Sequence, residues 1–309
     1  MKAGIFNSRL VFVSGKGGVG KTAIAAALAL SDPNKKTLLV EIDNFHPSTT
    51  AIFNRKPNYK PQKLNGNLYF CNITWLEALQ DWLYKTIPIR RIVKLIQKNK
   101  VALLFLDATP GAREIVILSK IVELAEEFDR VIVDLPASGH ALGILRVPKT
   151  AMKLMPSGPI YERAKYILSV FAQKKTQLLL VSLPEEMVVN ETLEFKEKIR
   201  NQVSEIGDPE IVLNRAAPPS FSNDEALLLE RLSDSSISDE LRALFDAGLW
   251  EQTLEKATSN AVLRIEESLG RKPITLPRFG VLGGYEGGPP KVVAQLTKAI
   301  RRASIKVDA

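Results

Sequence analysis

The most constraining feature of the sequence is a glycine-rich segment near its start, Gly15-Lys16-Gly17-Gly18-Val19-Gly20-Lys21-Thr22. The segment satisfies the phosphate-loop pattern G-x-x-x-x-G-K-[ST], and it lies between an apolar run and a stretch with helical character. Glycines let the backbone curl until successive N–H groups point at phosphate oxygens, and the N-terminus of the following helix favours the same negative charge. The segment therefore predicts a site for nucleotide phosphates.

The residue types of this segment also predict individual roles. Lys21 is expected to reach the β- and γ-phosphates, and the Thr22 hydroxyl is expected to bind Mg²⁺. The bound nucleotide would contact the following residues: Gly15, Gly17, Gly18, Val19, Gly20, Lys21, Thr22 and Ala23.

Short apolar runs alternate along the chain with stretches of helical periodicity, which indicates βαβ units and a mostly parallel sheet. Predicted strands are Leu10–Val13, Thr37–Ile42, Asn67–Cys71, Val131–Asp134, Gln177–Val181, Ile211–Asn214 and Ile274–Leu276. Several of them are apolar throughout, as expected for strands covered on both faces. The predicted fold is an α/β phosphate-loop fold whose central sheet has helices on both faces.

No stretch of the sequence has the composition of a linker between independent domains. We therefore predict one domain over residues 1–309, with helical insertions at about 74–126 and 146–175. The segments 45–66 and 276–290 are rich in Pro, Asn and Gly and are predicted to be loops.

Composition narrows the function classes. Cys71 is the only cysteine and His46 and His140 are the only histidines, so an intrachain disulfide and Cys- or His-rich metal sites are excluded. No apolar run reaches the roughly 18–20 residues of a membrane span, and a signal peptide is not expected. We expect a cytoplasmic protein, with a peripheral position at a membrane as a variant of that expectation.

Two acidic residues follow predicted strands. Asp43 comes after the second strand and Asp134 ends the apolar run Val131–Asp134. Carboxyl ends of parallel strands meet at one edge of the sheet, beside the phosphate loop. A carboxylate that ends such a strand can hold Mg²⁺ through water, and a second one can orient the attacking water. We therefore predict Asp134 as a metal residue and Asp43 as a catalytic residue.

Lys16 adds a second lysine to the loop, which gives the deviant phosphate-loop pattern K-G-G-x-G-K-[ST]. The run from Asp134 to Pro148, DLPASGHALGILRVP, resembles the switch II segment of the arsenite-pump and tail-anchored-protein targeting ATPases. Leu183-Pro184-Glu185-Glu186 followed by Glu191-Thr192 is similar to another element of the same group. The sequence thus resembles the anion-transporting-ATPase-like branch of deviant phosphate-loop ATPases, with matched segments from Leu10 to about Arg215.

The resemblance implies an ATPase that uses ATP and Mg²⁺. Lys16 would cross the interface of a dimer to the partner's phosphates and act in catalysis together with Lys21 and Asp43. Gly139 would meet the γ-phosphate with its N–H, and Asn214 would contact the adenine. The dimer would be a homodimer, with a heterodimer of two related chains left open.

The sequence also departs from the family. Ala23 replaces a threonine whose hydroxyl would contact the α-phosphate, and Asn44, Phe45 and Arg113 differ from the residues usual there. A single cysteine cannot form the arsenite-regulated cysteine triad or a CxxC zinc clasp, so arsenite pumping is not expected. The client-binding methionine-rich region is reduced to about thirty residues, 146–175, which are predicted to be mainly core.

A basic segment lies between Lys85 and Lys100, which contains six cations and no acidic residue. Within it the apolar residues fall on one side of a predicted helix, 88–97, and the cations fall largely on the other. Such a helix either docks on the rest of the protein or lies on an anionic membrane surface. No aromatic residues alternate with the charges, which argues against a nucleic-acid platform.

The function predicted from these observations is an Mg²⁺-dependent, dimeric switch ATPase. It would couple ATP hydrolysis to the handling or release of a protein client or membrane partner that the sequence does not identify. The alternative is a positioning ATPase like MinD or ParA, which binds membrane or DNA when ATP is bound. A subunit that binds ATP without hydrolysing it is disfavoured, because both lysines and both aspartates are present.

Overall fold

The computed structural model describes residues 4–43, 47–87, 89–101, 104, 109, 111–233, 238–279 and 288–307. Within those residues the strands are β1 (Leu10–Gly15), β2 (Thr37–Ile42), β3 (Gln62–Asn65), β4 (Leu68–Ile73), β5 (Arg130–Asp134), β6 (Thr176–Ser182), β7 (Glu210–Ala216) and β8 (Ile274–Pro277). The first helices are α1 (Lys21–Ala29), α2 (Thr49–Phe53), α3 (Trp75–Thr86), α4 (Arg90–Lys98) and α5 (Ala112–Glu127). They are followed by α6 (Ser138–Leu154), α7 (Pro159–Phe171), α8 (Glu186–Gln202), α9 (Asn223–Ser233), α10 (Asp239–Leu269) and α11 (Gly288–Val307).

The strands form one sheet in the order β3-β4-β2-β5-β1-β6-β7-β8, and only β3 runs antiparallel to its neighbour. The seven strands predicted from the sequence are the seven that run parallel. Alternate residues of these strands enter different apolar clusters, so that Phe12 packs on one face of the sheet and Val13 on the other. Helices α3 to α7 cover the first face, while α1, α2 and α11 cover the second. The predicted α/β phosphate-loop fold is confirmed.

The register of the sheet brings three predicted site segments to one edge. Val13 on β1 and Glu41 on β2 are both in register with Asp134 on β5. Since these strands are parallel, their carboxyl ends open on the same side of the sheet. The loops that leave β1, β2 and β5 therefore lie next to one another.

The prediction of an irregular segment over 45–66 is wrong in part. The structure has helix α2 there, and strand β3 forms a hairpin with β4. Asn65 precedes Gly66, whose φ of 51° is the left-handed conformation that a tight hairpin requires. The dipeptide Asn65-Gly66 was the sequence signal for this hairpin, and it was missed because β3 contains only one apolar residue.

Two helix predictions also need correction. Residues 138–154 form α6, which the sequence did not predict because Gly139, Gly143 and Pro148 interrupt any helical pattern. Pro148 is buried within α6, so packing against neighbouring helices outweighs the poor helix propensity. The helical periodicity of residues 224–245 predicts one helix, but α9 ends at Ser233 and α10 begins after Ser238, whose side chain accepts a hydrogen bond from the Leu241 N–H.

The methionine-bearing segment 146–175 consists of the end of α6 and helix α7. Ile167 and Phe171 are fully buried, but Leu154 is 68% exposed and Met155 is 38% exposed. The prediction that the segment is mainly core is therefore wrong for the residues around the end of α6. The assignment of residues 1–309 to one domain stays a prediction. Among the described residues, no helix combines the length and the apolar character needed to cross a lipid bilayer.

Candidate nucleotide site

The phosphate loop connects β1 to α1 with a backbone that glycine alone adopts easily. Gly15 has a φ of 151°, and a Cβ added there would lie 2.3 Å from the carbonyl oxygen of Val181 on the adjacent strand β6. Gly18 and Gly20 have φ values of 83° and 94°, and Gly20 is the N-cap residue of α1. The loop thus begins in contact with β6 and ends at a helix N-terminus, as a phosphate site requires.

Asn214, near the end of β7, holds this loop through a side-chain hydrogen bond. Its Nδ2 atom donates a hydrogen bond of 2.9 Å to the carbonyl oxygen of Val19, and the side chain is buried. A Cβ on Gly20 would approach the same Nδ2 atom to 2.7 Å. Asn214 therefore fixes the loop conformation, and its predicted contact with adenine stays a prediction.

Lys21 begins α1, and its side chain curls back over the loop. Its Nζ atom donates a hydrogen bond of 3.0 Å to the carbonyl oxygen of Lys16. Burial lowers the pKa of Lys21, and the nearby Asp134 carboxylate opposes that effect. The ammonium group is thus positioned above the backbone that would hold a phosphate chain.

Thr22 and Asp134 form the contact that links the loop to β5. The Thr22 hydroxyl donates a hydrogen bond of 2.5 Å to Oδ2 of Asp134. The other carboxylate oxygen, Oδ1, is buried and accepts no hydrogen bond from any described residue. An unpaired buried carboxylate oxygen is costly unless a cation or a proton satisfies it.

These two residues fit a Mg²⁺ ion. Magnesium takes oxygen ligands and commonly uses one or two protein groups together with substrate phosphates and water. Among the described residues there is no cluster of three or more His, Cys, Asp or Glu side chains that could form an all-protein cage. A hydroxyl, a carboxylate with one free oxygen and a phosphate loop are the parts that a nucleotide-bound Mg²⁺ needs.

The Asp134 carboxyl group has a strongly perturbed acidity. Burial raises its pKa to about 7, and the neighbouring Glu41 carboxylate contributes in the same direction. The hydrogen bond from Thr22 and the charge of Lys21 oppose this increase. The folded protein therefore resists placing a negative charge here unless a cation compensates it.

Glu41 is a residue of this site that the sequence analysis did not single out. It lies on β2, is buried, and its Oε1 atom accepts hydrogen bonds from the N–H groups of Ser48 at 2.9 Å and Thr49 at 3.4 Å. The Thr49 hydroxyl donates to the other carboxylate oxygen. Glu41 thus ties the start of α2 to the sheet. The available signal was a glutamate inside an otherwise apolar strand, TLLVEI.

Asp43 follows β2 and connects the site to α3. Its backbone has a φ of 45°, and its N–H donates to the Ile73 carbonyl oxygen at 2.8 Å. Its Oδ1 atom accepts a hydrogen bond of 3.3 Å from the N–H of Trp75, the first residue of α3. Asp43 therefore caps a helix, while its predicted role in catalysis stays a prediction. His46, three residues further along the chain, lies outside the described residues.

A cleft of about 470 Å³ lies between these elements. Lys21, Thr22, Glu41, Asp43 and Asp134 all line it, so the structure brings together the predicted metal residues and, apart from Lys16, the predicted catalytic residues. Its remaining polar side chains are those of Ser48, Arg113, Glu114 and His140.

Gly139 lies in the first turn of α6, directly after the loop that leaves β5. It is exposed, and no side chain caps the N-terminus of this helix. The first N–H groups of an α-helix have no partner within the helix. Gly139 is thus in a suitable place for its predicted contact with the γ-phosphate, which no observation here tests.

Lys16 points away from its own cleft. Its Nζ atom forms an ion pair of 2.7 Å with Oε1 of Glu191 on α8, and both side chains are about two-fifths exposed. The backbone carbonyl of Lys16 accepts the hydrogen bond from Lys21. The side chain is therefore at the surface and beside the loop, where it could reach a second molecule.

Comparisons with known proteins agree with this geometry. The family model for the anion-transporting ATPases matches residues 8–217, which is more than half of the chain. The chain is 28% identical to the ATPase BagA of Mycobacterium tuberculosis, over 96% of this chain and 94% of that protein. It is 30% identical to the ATPase GET3 of Eremothecium gossypii, over 65% of this chain and 60% of that protein. The matched region contains the phosphate loop, Asp134 and Asn214, and the chain therefore belongs to the anion-transporting ATPase family, whose members hydrolyse ATP.

Proposed function

We propose that the protein is an Mg²⁺-dependent ATPase that works as a dimeric switch and couples ATP hydrolysis to the handling or release of a protein or membrane partner. The observation that carries this proposal is the Thr22–Asp134 hydrogen bond beside an unpaired Asp134 oxygen in the phosphate-loop cleft. The proposal treats residues 1–309 as one domain in the cytoplasm.

The chain's own residues supply positioning and charge, which is most of what phosphoryl transfer requires. Thr22 and Asp134 would hold Mg²⁺, which neutralises charge on the phosphates when it is bound. The N–H groups of Gly17 to Thr22 would bind phosphate oxygens, and Lys21 would stabilise the negative charge that develops on them. Ala23 offers no hydroxyl, so the α-phosphate depends on backbone donors.

Asp43 connects the nucleotide site to helix α3. A carboxylate at this position can orient the attacking water, and the same carboxylate now accepts the N–H of Trp75. When Asp43 turns toward the nucleotide, α3 loses one of its N-terminal contacts. The state of the nucleotide would thereby bias the position of α3, which is the kind of coupling that switch ATPases use.

Helix α3 also borders an apolar pocket. Trp75, Leu79 and Trp82 of α3 line it together with residues of α5, α6 and α7 and with Met155, which directly follows α6. Trp75 therefore contributes its N–H to Asp43 and its ring to this pocket. An apolar pocket beside the switch supports a partner that presents apolar side chains.

The weak pairing of Lys16 supports the proposal that the protein works as a dimer. The pairing with Glu191 is half exposed, and ion pairs of that kind contribute at most about 1 kcal/mol. A stronger partner, such as the phosphates of a nucleotide bound to a second subunit, would therefore displace Glu191 readily.

The direct test of this proposal is the variant Asp43→Asn. The asparagine keeps an acceptor for the Trp75 N–H but loses the negative charge, so we expect unchanged thermal stability and Mg–ATP binding. Turnover should fall by at least tenfold, because one positioned group commonly contributes about 10²–10⁴-fold. Binding would be measured by titration calorimetry and turnover by phosphate release. Unchanged turnover would remove Asp43 from the mechanism.

A further inference from the structure

A second surface of the molecule is carried by α4, which is remote in sequence from the phosphate loop. This helix packs on α3 through Val93, which is completely buried. The opposite side of the helix is exposed and carries Arg91, Lys94 and Leu95. Val93 thus docks the helix on the rest of the protein, which is one of the two alternatives that the sequence leaves open, and the basic side faces outward.

The charges of this surface are all of one sign. No acidic residue occurs between Asp81 and Asp107, while Arg90, Arg91, Lys94 and Lys100 are all exposed. Considering only the residues that the structure describes, none of these four cations forms an ion pair. By contrast, Lys85 at the start of the segment pairs with Glu123 on α5.

Large apolar side chains lie among these cations. Leu95 is 69% exposed and Val101 is 74% exposed, and Ile89 and Leu104 are also exposed. Leu95 lies nearly opposite Val93 on the helix and next to Arg91, since 3.6 residues per turn give the angular order Lys94, Arg91, Leu95. Exposing these apolar side chains to water is unfavourable. A polyanion such as nucleic acid would pair with the cations but would not cover the apolar side chains.

We propose that the exposed side of α4, with the residues that flank it, binds the surface of an anionic lipid bilayer. Lipid phosphates and carboxylates would pair with Arg90, Arg91, Lys94 and Lys100. Leu95 would enter the boundary between headgroups and acyl chains, as in helices that lie in the membrane interface. This contact lies outside the nucleotide cleft and goes beyond the proposed switch, so either proposal can fail without the other.

The experiment is co-sedimentation of the full chain, without nucleotide, with vesicles of phosphatidylcholine alone or with 30% phosphatidylserine. We expect binding to the anionic vesicles, weakening with salt, and little binding to the neutral ones. The double variant Arg91→Glu/Lys94→Glu should bind the anionic vesicles at least twentyfold more weakly, since each cation near such a surface contributes about fivefold. Equal binding to both kinds of vesicle, or no binding to either, would overturn the proposal.

Two controls separate a bilayer from other polyanions. The variant Lys298→Glu/Arg302→Glu removes the same charge from exposed positions on α11 and should change vesicle binding less than twofold. Leu95→Ala should weaken vesicle binding severalfold without changing its salt dependence. If Leu95→Ala binds like the wild type and duplex DNA is retained as well as the vesicles are, α4 is a general polyanion site and the proposal is wrong. Phosphate release from ATP by the α4 variants, measured in parallel, reports on the switch independently.

Discussion

Replacing Asp134 by asparagine should separate two effects of its carboxylate, which are the free-energy cost of burying a charge and the binding of Mg²⁺. Asparagine has nearly the same size, and its side-chain oxygen still accepts the Thr22 hydroxyl hydrogen bond. It carries no negative charge, so it removes both the cost of burying a carboxylate and the charge that would hold Mg²⁺.

The size of the effect without nucleotide follows from the pKa of Asp134. Burial raises this pKa from 3.8 to about 7, and each unit corresponds to about 1.36 kcal/mol. A raised carboxyl pKa favours the protonated folded state, so its contribution is complete below pH 4 and is lost as the pH rises to 7. The wild type should therefore lose up to about 4 kcal/mol of unfolding free energy over this window, relative to Asp134→Asn.

The assay is thermal unfolding of both proteins at pH 4 to 8, with EDTA or with Mg²⁺ and a non-hydrolysable ATP analogue. Without nucleotide, the melting temperature of the variant should rise relative to that of the wild type between pH 4 and 7. At pH 8 it should be higher than that of the wild type by at most about 8 °C. With Mg²⁺ and analogue the gap should narrow and then close, because a ligand stabilises the wild type by about 2.7 kcal/mol at a hundred times its Kd and by about 4.1 kcal/mol at a thousand times its Kd. A variant that is less stable than the wild type at pH 8 in EDTA, or that keeps the Mg²⁺-dependent stabilisation, would refute this reasoning.

Two further variants test the loop itself. Gly15→Ala places a Cβ 2.3 Å from the Val181 oxygen at a φ of 151°, so it should cost roughly 2–4 kcal/mol of stability and abolish ATP binding. Gly17→Ala, where a Cβ meets nothing within 4 Å, is the matched control and should keep the wild-type melting temperature. Asn214→Ala leaves the buried Val19 carbonyl unpaired and should lower stability by about 1–2 kcal/mol and raise KM for ATP severalfold. Circular dichroism melts and steady-state phosphate release check all three, and an unaffected Asn214→Ala protein would exclude its support of the loop.

The parallel sheet and the loop could be predicted from sequence because both are local patterns. A strand buried on both faces needs a continuous apolar run, and Val131–Val133 and Leu178–Val181 are such runs. The phosphate loop is eight consecutive residues whose types follow from the ligand. Asp134 was found because it ends one of these runs at the correct edge of the sheet.

The remaining features depend on contacts between distant residues. Glu41 is stabilised as a buried carboxylate by Ser48 and Thr49, which turn back to meet it. Lys16 pairs with Glu191, which lies 175 residues further along the chain. No local pattern contains these pairs, and α6 likewise forms against its own propensity because neighbouring helices cover Pro148.

The central claim is that each active site is completed by a lysine from a second subunit, and complementation tests it most directly. The Lys16→Ala protein should not hydrolyse ATP, because each site in its dimers lacks the lysine of the partner. The Lys21→Ala protein should not hydrolyse ATP either, because each site lacks its own lysine. In an equal mixture, about half of the dimers combine both variants, and each of these has one complete site, since a two-fold dimer presents the same surface from both subunits. Phosphate release should therefore recover to about a quarter of the wild-type rate in the mixture, and should not recover when Lys16→Ala is mixed with the double variant. A mixture no more active than its separate components would contradict the account.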